Sequence, residues 1–343
     1  MDHSPLLAPL LDAKNIHLFT HVRGDPDSAS CFALALALQK LGKTVSVSHD
    51  LPAHLHWLHD GFSFPSQSDE GALRVAIDTG NYARLAFTPA VRAKIAELIA
   101  HFGTEQQVPS QRLWSIEPID VVIDHHASNK GYGRLNWIVP TASSSAELLT
   151  ELIAALEATS GTILFSEEVC RLLYTGIVSD TQWFKRDVTP RTYTMASLLE
   201  TRAKIDKVEI AERLAERSIA YFQIGATLRA NFKQYDDLLV SFLDRQALEQ
   251  VGLTAEEAAQ TMEELEHLPG KIFILFVELA TGEIRVRIRG KGVVILSLAQ
   301  QFGGGGHEFR AGATLSSWRE MQTVITYAQK LLAIQAKESE FSL

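Results

Sequence analysis

The stretch Val121-Val122-Ile123-Asp124-His125-His126 runs from three consecutive β-branched residues straight into an aspartate and two imidazoles. Val and Ile fit a pleated surface packed on both faces, so a short run of this kind reads as a buried strand. Its polar end then falls where the strand stops. Three further stretches share the pattern. Ile16–Thr20 leads into His21-Val22-Arg23-Gly24-Asp25-Pro26-Asp27, Arg74–Ile77 into Asp78, and Tyr174–Ser179 into Asp180. Read as four strand ends, these motifs bring carboxylates and imidazoles to one rim.

Working outward, the short apolar runs Ile16–Thr20, Thr44–Val47, Val75–Ile77 and Val121–Ile123 alternate with the helix-like segments Ser30–Leu41 and Ser144–Thr159. That alternation predicts an α/β domain over residues 1–192, a parallel sheet with helices on both faces. In such a sheet the ligand crevice lies beyond the carboxyl ends of the strands. Residues 193–235 show helical spacing and almost no Gly or Pro, which predicts a helical connector burying Ile205, Ile210, Leu214 and Ile219. In residues 236–343 the runs Leu238–Leu243, Ile272–Leu279 and Glu283–Arg289 predict a smaller α/β domain with a mixed sheet. Its last two strands form a hairpin across Ala280-Thr281-Gly282, and Ile284, Val286 and Ile288 alternate with Arg285, Arg287 and Arg289. Ala336–Leu343 is expected to fray.

Composition sets the class. The 343 residues exceed one comfortable core, and 46% hydrophobic with 21% charged residues is ordinary for globular domains. A net charge of −9 argues against a broad surface for long duplex nucleic acid, which is held by many Lys and Arg. Cys31 and Cys170 lack the paired spacing of a zinc or redox motif and read as buried thiols. No basic segment followed by an apolar core opens the chain, and no run nears the ~18 apolar residues of a membrane span. A cytoplasmic enzyme without a membrane partner is the expectation, and a homodimer is expected on frequency alone. His17, His49, His54, His56 and His59 read as surface or partly buried residues with no acidic partner pattern.

The acidic motifs carry the chemistry. One Asp after a strand is commonly a helix cap, and Asp27 ahead of Ser28–Ser30 fits that reading. Four such motifs at one rim fit a metal centre better. Mixed oxygen and imidazole donors favour manganese over calcium. Asp25 and Asp27 can face two neighbouring ions, with His21 reaching one of them and Asp78 bridging both. The four charges of Asp25, Asp27, Asp78 and Asp180 match two divalent cations, whereas without metal they repel one another. Two such ions generate hydroxide at neutral pH and clamp the oxygens of an in-line phosphoryl transfer.

These motifs resemble the DHH phosphoesterase superfamily, through Asp124-His125-His126, His21-x3-Asp25-x-Asp27, Asp78-Thr79-Gly80 and Gly176-Ile-Val-Ser-Asp180-Thr181. Arg289, the run Gly303-Gly304-Gly305-Gly306 before His307, and Ala311-Gly312 resemble the DHH-associated domain, so the likeness spans nearly the whole chain. It implies that His21, Asp25 and Asp78 hold one ion and that Asp27, Asp78, His125 and Asp180 hold the other. The ions would be manganese first, with magnesium or cobalt as alternatives. It also implies that Asp124 orients an imidazole, that His126 assists the leaving oxygen, and that Arg289, Gly304, Gly305, Gly306 and His307 bind the substrate phosphate, Arg289 and His307 steadying the added charge. The chain departs from the family pattern at Gly24, Ala29, Gln182 and Gly290, where Pro, Gly, Gly and Ser are usual.

Within the superfamily, length and the glycine–histidine motif resemble the group that hydrolyses short oligoribonucleotides, linear dinucleotides and 3′-phosphoadenosine-5′-phosphate. Attack by a metal-bridging hydroxide is the mechanism this implies. The alternatives are a cyclic-di-AMP phosphodiesterase, a pyrophosphatase or short-chain polyphosphatase, and a nucleotide-binding regulator that has lost hydrolysis. Weaker contacts to a base or phosphate are Arg84, Trp183, Phe184, Phe309 and Arg310, of which the aromatic residues fit a core reading better.

Overall fold

The structure, a computed structural model, describes residues 3–66, 71–306 and 308–340, leaving aside the side chains of 336–340. The chain divides into two units, Met1–Glu216 and Arg217–Leu343.

In the first unit α1 (Ser4–Asp12), β1 (Asn15–Phe19), α2 (Ala29–Lys40), β2 (Thr44–Ser48), β3 (Leu73–Ile77), α3 (Pro89–Phe102), α4 (Ser110–Trp114), β4 (Val121–Asp124), β5 (Leu135–Ile138), α5 (Ser145–Ser160), α6 (Glu167–Asp180), α7 (Pro190–Arg202) and α8 (Lys207–Ala215) follow in order. The five strands form a wholly parallel sheet ordered β2-β1-β3-β4-β5. Successive residues of one strand enter opposite cores. Val75 and Ile77 pack with α1, α2, α5 and α6, whereas Ala76 packs with Ile95 of α3 and Leu113 of α4. Burial on both faces is why these strands read as unbroken apolar runs. Neighbouring strands β1 and β3 send their following helices, α2 and α3, to opposite faces, while the segments at their carboxyl ends stay tied, the Val22 amide donating to Arg84 O at 2.7 Å and the Ala86 amide to Thr20 O at 2.9 Å. In an open parallel sheet, such a switch in strand order is where ligands are held.

Three sequence expectations need correction. Tyr174–Ser179 is not a strand but the last turns of α6, whose cap is Ser166, the side chain accepting from the Val169 amide. The run Ile177-Val178 is buried among neighbouring helices, and a short apolar run looks alike in a buried helix and a buried strand. His17 is buried at 3% exposure, its ring nitrogens 2.6 Å from Ser46 Oγ and 3.0 Å from Ser48 Oγ. Burial and then the Arg74 charge push its pKa down to about 4, so it sits neutral in the sheet. Ile210 is buried as expected, but Ile219 is 79% exposed, because it opens a helix directly after its Ser218 cap.

The second unit comprises α9 (Ile219–Ala230), β6 (Lys233–Tyr235), β7 (Leu238–Leu243), α10 (Arg245–Val251), α11 (Ala255–Ala258), α12 (Met262–Glu266), β8 (Ile272–Glu278), β9 (Ile284–Gly290), α13 (Leu296–Gln301), β10 (Gly305–Gly306), β11 (Arg310–Leu315) and α14 (Met321–Glu340). The stretch 193–230 is mainly helical, through the end of α7, α8 and α9, but 233–235, expected within the helical connector, form strand β6, and the unit boundary falls between α8 and α9. Helix α14 takes in most of the stretch expected to fray, and 341–343 lie outside the described residues. The six-stranded sheet, β10-β11-β9-β8-β7-β6, is antiparallel except for β7 against β8. Ile284, Val286 and Ile288 enter the core shared with α13 and α14, which turns Arg285, Arg287 and Arg289 to the opposite face.

Candidate metal centre

At the end of β1 the chain turns so that His21 is nearly buried, its Nε2 3.4 Å from Asp25 Oδ2 and 3.8 Å from Asp78 Oδ2. Asp25 caps the short helical turn Pro26–Ser28 through the Asp27 amide, at 3.0 Å. Asp27 is fully buried and caps a different helix from the one its sequence position suggests. Its two oxygens accept the Ser145 and Ala146 amides, 2.8 and 3.1 Å away, at the start of α5. A helix N-terminus favours negative charge, so α5 supports Asp27 at the centre of an acidic cluster.

Asp78 follows β3 in the left-handed region, with φ at 56°, and its amide donates to Ile123 O at 3.0 Å. One carboxylate oxygen faces His21. The other faces His125 Nε2 at 3.6 Å and accepts the Ser145 hydroxyl at 3.0 Å. His125 Nε2 is also 3.3 Å from Asp180 Oδ2 at the end of α6. Three groups, His21 with Asp25 and Asp78, Asp27 with His125 and Asp180, and Asp78 with His125 and His126, each hold their ligand atoms within 4.8 Å of one another.

The electrostatics fit a cation. Burial, then the charges of Asp27, Asp25, Asp180 and Asp124, drive the Asp78 carboxyl well above its ordinary range. Burial with Asp27, Asp25 and Asp187 does the same to Asp180, and burial with Asp25 pushes Asp27 up to about 7. Burial and the neighbouring His126 lower His125, keeping its imidazole in the neutral, ligating form. Asp25 goes the other way, its carboxyl held low against burial by the hydrogen bond and charge of His21, but three carboxylates that resist ionisation beside the His125 imidazole are a donor set a divalent cation would relieve.

Behind the cluster, buried Asp124 accepts the His125 amide at 2.9 Å, His126 Nδ1 at 2.7 Å and Asn129 Nδ2 at 2.6 Å. The imidazole it orients is therefore that of His126, and its hydrogen bond raises the His126 pKa. His125 Nδ1 instead lies 3.4 Å from Ala142 O. The Arg84 charge acts on both His21 and His126, which puts this exposed residue beside the site.

Several contributors escaped sequence reasoning. Ser145 bridges to Asp27 and Asp78. Buried Glu147 accepts the Ser143 hydroxyl and the Thr192 hydroxyl, both at 2.7 Å, locking the serine turn against α7. The legible signal was Ser144-Ser145-Ala146-Glu147, which has the spacing of a capping box. Gly176 lies against Asp27, where an added Cβ would come 2.3 Å from its Oδ1. Gln182 is left-handed at φ 48°, as are Trp183 and Phe184, which accounts for the glycine usual at that position. Trp183 and Phe184 pack on the core, and Phe184 stacks on Tyr193 with centroids 5.5 Å apart.

The residues expected to grip phosphate lie in the second unit. A cleft of about 550 Å³ is lined by Arg285, Arg287, Arg289, Gly303–Gly306 and Arg310. Arg289 Nε is 3.1 Å from Glu266 Oε1, Arg287 Nη2 is 3.5 Å from Glu256 Oε2, and Arg285 also pairs with Glu256. The Gly303 and Gly304 amides already donate to Gln300 O and Ala299 O at the end of α13. His307 lies outside the described residues. At Gly290 an added Cβ would meet Val293 O at 2.1 Å, so the approach of the 291–295 loop leaves no room for the usual serine.

A parallel sheet with an acidic and imidazole rim, followed by a unit with an arginine cleft, is the architecture of a phosphoesterase, and the chain belongs to the DHH family. Residues 15–177 match the DHH family, N-terminal domain, and residues 236–333 match the DHHA1 domain. It is 29% identical over 322 residues to the bifunctional oligoribonuclease and PAP phosphatase NrnA of Bacillus subtilis, covering 92% of this chain and 94% of that protein. The protein of the same name from Thermus thermophilus is 28% identical over 320 residues, covering 90% and 87%. The crystal structure of an exopolyphosphatase-related protein from Bacteroides fragilis shares the fold at a TM-score of 0.76 and 20% identity, covering 96% and 95%. No helix among the described residues is long and apolar enough to cross a membrane.

Proposed function

We propose that the protein hydrolyses very short oligoribonucleotides and linear dinucleotides to mononucleotides, and 3′-phosphoadenosine-5′-phosphate to AMP, with two divalent cations, manganese first. The observation that carries the reading is Asp78, whose two oxygens face His21 on one side and His125 on the other. A carboxylate so placed is suited to serve two ions, one with His21 and Asp25, the other with Asp27, His125 and Asp180. Such ions, when bound, acidify water and neutralise phosphate oxygens. The two relatives named above as oligoribonuclease and PAP phosphatase support the substrate class.

The chain's own groups supply the rest. Asp124 takes the Nδ1 proton of His126 into a 2.7 Å hydrogen bond, which leaves Nε2 as the atom that can carry a proton to the leaving oxygen. His126 is partly exposed, with 39% of its side chain accessible, so it can meet a substrate. Ser145, tied to Asp27 and Asp78 together, fixes the spacing of the two carboxylates. Arg289 in the second unit offers a guanidinium to substrate phosphate.

The test is a parallel assay with manganese of a linear dinucleotide, a five-nucleotide RNA, cyclic di-AMP, 3′-phosphoadenosine-5′-phosphate and pyrophosphate, repeated in EDTA. The expected result is chelator-sensitive turnover fastest on the linear dinucleotide, with the adenosine bisphosphate also consumed. Faster turnover of cyclic di-AMP or pyrophosphate would overturn it.

A further inference from the structure

Strands β9 and β11 place Arg289 and Arg310 directly opposite each other, in register and therefore on the same face of the sheet. Like charges opposed across a strand pair repel. The cost is visible at Arg289, whose pKa is lowered by burial and then, against the pull of Glu266, by Arg310 and Arg287. Arg285 and Arg287 share Glu256, and Arg289 has Glu266, but among the described residues Arg310 forms no ion pair. Arg310 is exposed and lines the same cleft as the other three arginines, where Gly304, Gly306 and Gly312 contribute no side chains. Arg310 thus adds to the cleft a guanidinium beyond the three that Glu256 and Glu266 partner. A terminal phosphate monoester carries about −1.5 to −2 at pH 7, whereas an internal diester carries one charge.

Resting on the reading above, we propose that Arg310 with Arg289 forms a paired-guanidinium subsite for a terminal phosphate monoester, and that Arg310 sets a preference for end-phosphorylated over unphosphorylated dinucleotides. The repulsion between the two arginines is relieved when a dianion lies between them. A diester, with half the charge and no third terminal oxygen, relieves it less. The monoester can come from a 5′ end or a 3′ end, because both present the same dianion.

Two measurements on the full-length protein test this. First, binding of 5′-AMP, 3′-AMP and adenosine is measured by calorimetry in EDTA, so that metal plays no part. The expected outcome is that at least one AMP binds more tightly than adenosine, and that Arg310→Gln narrows that advantage by about tenfold or more, with Arg310→Lys recovering part of it. The advantage should also fade as the pH drops below the phosphate's second pKa of about 6. Second, kcat and KM are measured with manganese for pApA, ApAp and ApA. Arg310→Gln should narrow the phosphorylated-to-unphosphorylated ratio of kcat/KM by a similar factor, mainly through KM, and the end that loses identifies the source. If Arg310→Gln weakens AMP and adenosine alike, the subsite is refuted even where hydrolysis stands. If AMP binding behaves as expected but no linear dinucleotide is hydrolysed, the proposed function fails and the subsite survives.

Discussion

The rim of the parallel sheet and the face of the mixed sheet handle like charges in opposite ways. In the first unit, carboxylates from β1, β3 and α6 are drawn together at the ends of elements, and backbone amides of α5 hold one of them in place. In the second unit, arginines stand along one strand at every other position, each inherited from the pleat, with Glu256 and Glu266 brought alongside from neighbouring helices. Element ends can converge from distant parts of a chain, but only through specific loops. A strand face gathers its charges automatically. The acidic centre should therefore be rigid and intolerant of change, and the basic face graded and tunable.

The largest break in that comparison should come at Asp78. Asp78→Asn is expected to cut turnover on the order of a thousandfold. The same change should stabilise the metal-free protein. The folded-state pKa of Asp78 lies well above its ordinary value of 3.8, so the folded protein holds a proton that the unfolded chain has released. Stability from this group is thus present at low pH and is lost as pH rises from about 4 towards the folded pKa. In EDTA the denaturant midpoint of Asp78→Asn should exceed that of the wild type by a margin that widens with pH, and manganese should raise the midpoint of the wild type only. A variant that is less stable than the wild type at neutral pH without metal would contradict the repulsion argument.

Gly176→Ala comes next in size and probes how tightly the acidic centre is built. The new methyl would sit 2.3 Å from Asp27 Oδ1 and 2.6 Å from the Ala146 Cβ, displacing the carboxylate from the α5 amides. A loss of about 1–3 kcal/mol in unfolding free energy is expected from overpacking. Manganese affinity should fall by about tenfold to a hundredfold, as when the groups that position metal ligands are disturbed. Calorimetric titration of the variant with manganese checks the second figure, and unaltered affinity would show that Asp27 is no ligand.

The same contrast explains what could be read from the chain before folding. The acidic and imidazole residues at the ends of β1, β3 and β4 were legible because apolar runs announce the strands and the polar break announces their ends. So was the arginine face, since Ile284, Val286 and Ile288 alternate with it at a period of two. Asp180 was assigned to the right place by the wrong element, because a short run of apolar and small residues does not distinguish a buried helix from a strand. Ser145 and Gly176 act on Asp27 across a long stretch of sequence, 118 residues in the case of Ser145. Nothing local marks such contacts. Asn129 holds Asp124 from only five residues away, yet in a stretch whose turn the sequence leaves unspecified.

The smallest effect belongs to the basic face, at Glu266→Gln. Glu266 Oε1 lies 3.1 Å from Arg289 Nε, and a glutamine oxygen can accept the same hydrogen bond while removing one negative charge from the wall of the cleft. An ion pair of this kind is worth about 0–1 kcal/mol, so the gain for an incoming anion is at most about fivefold. AMP should bind about two- to fivefold more tightly to Glu266→Gln in EDTA, with about the same change in salt sensitivity as one added cation gives. If binding weakens instead, the carboxylate is needed to aim Arg289, and the basic face is built to a single geometry just as the acidic centre is. The sign of this one modest change therefore decides whether the cleft works by summed charge or by the placement of one guanidinium.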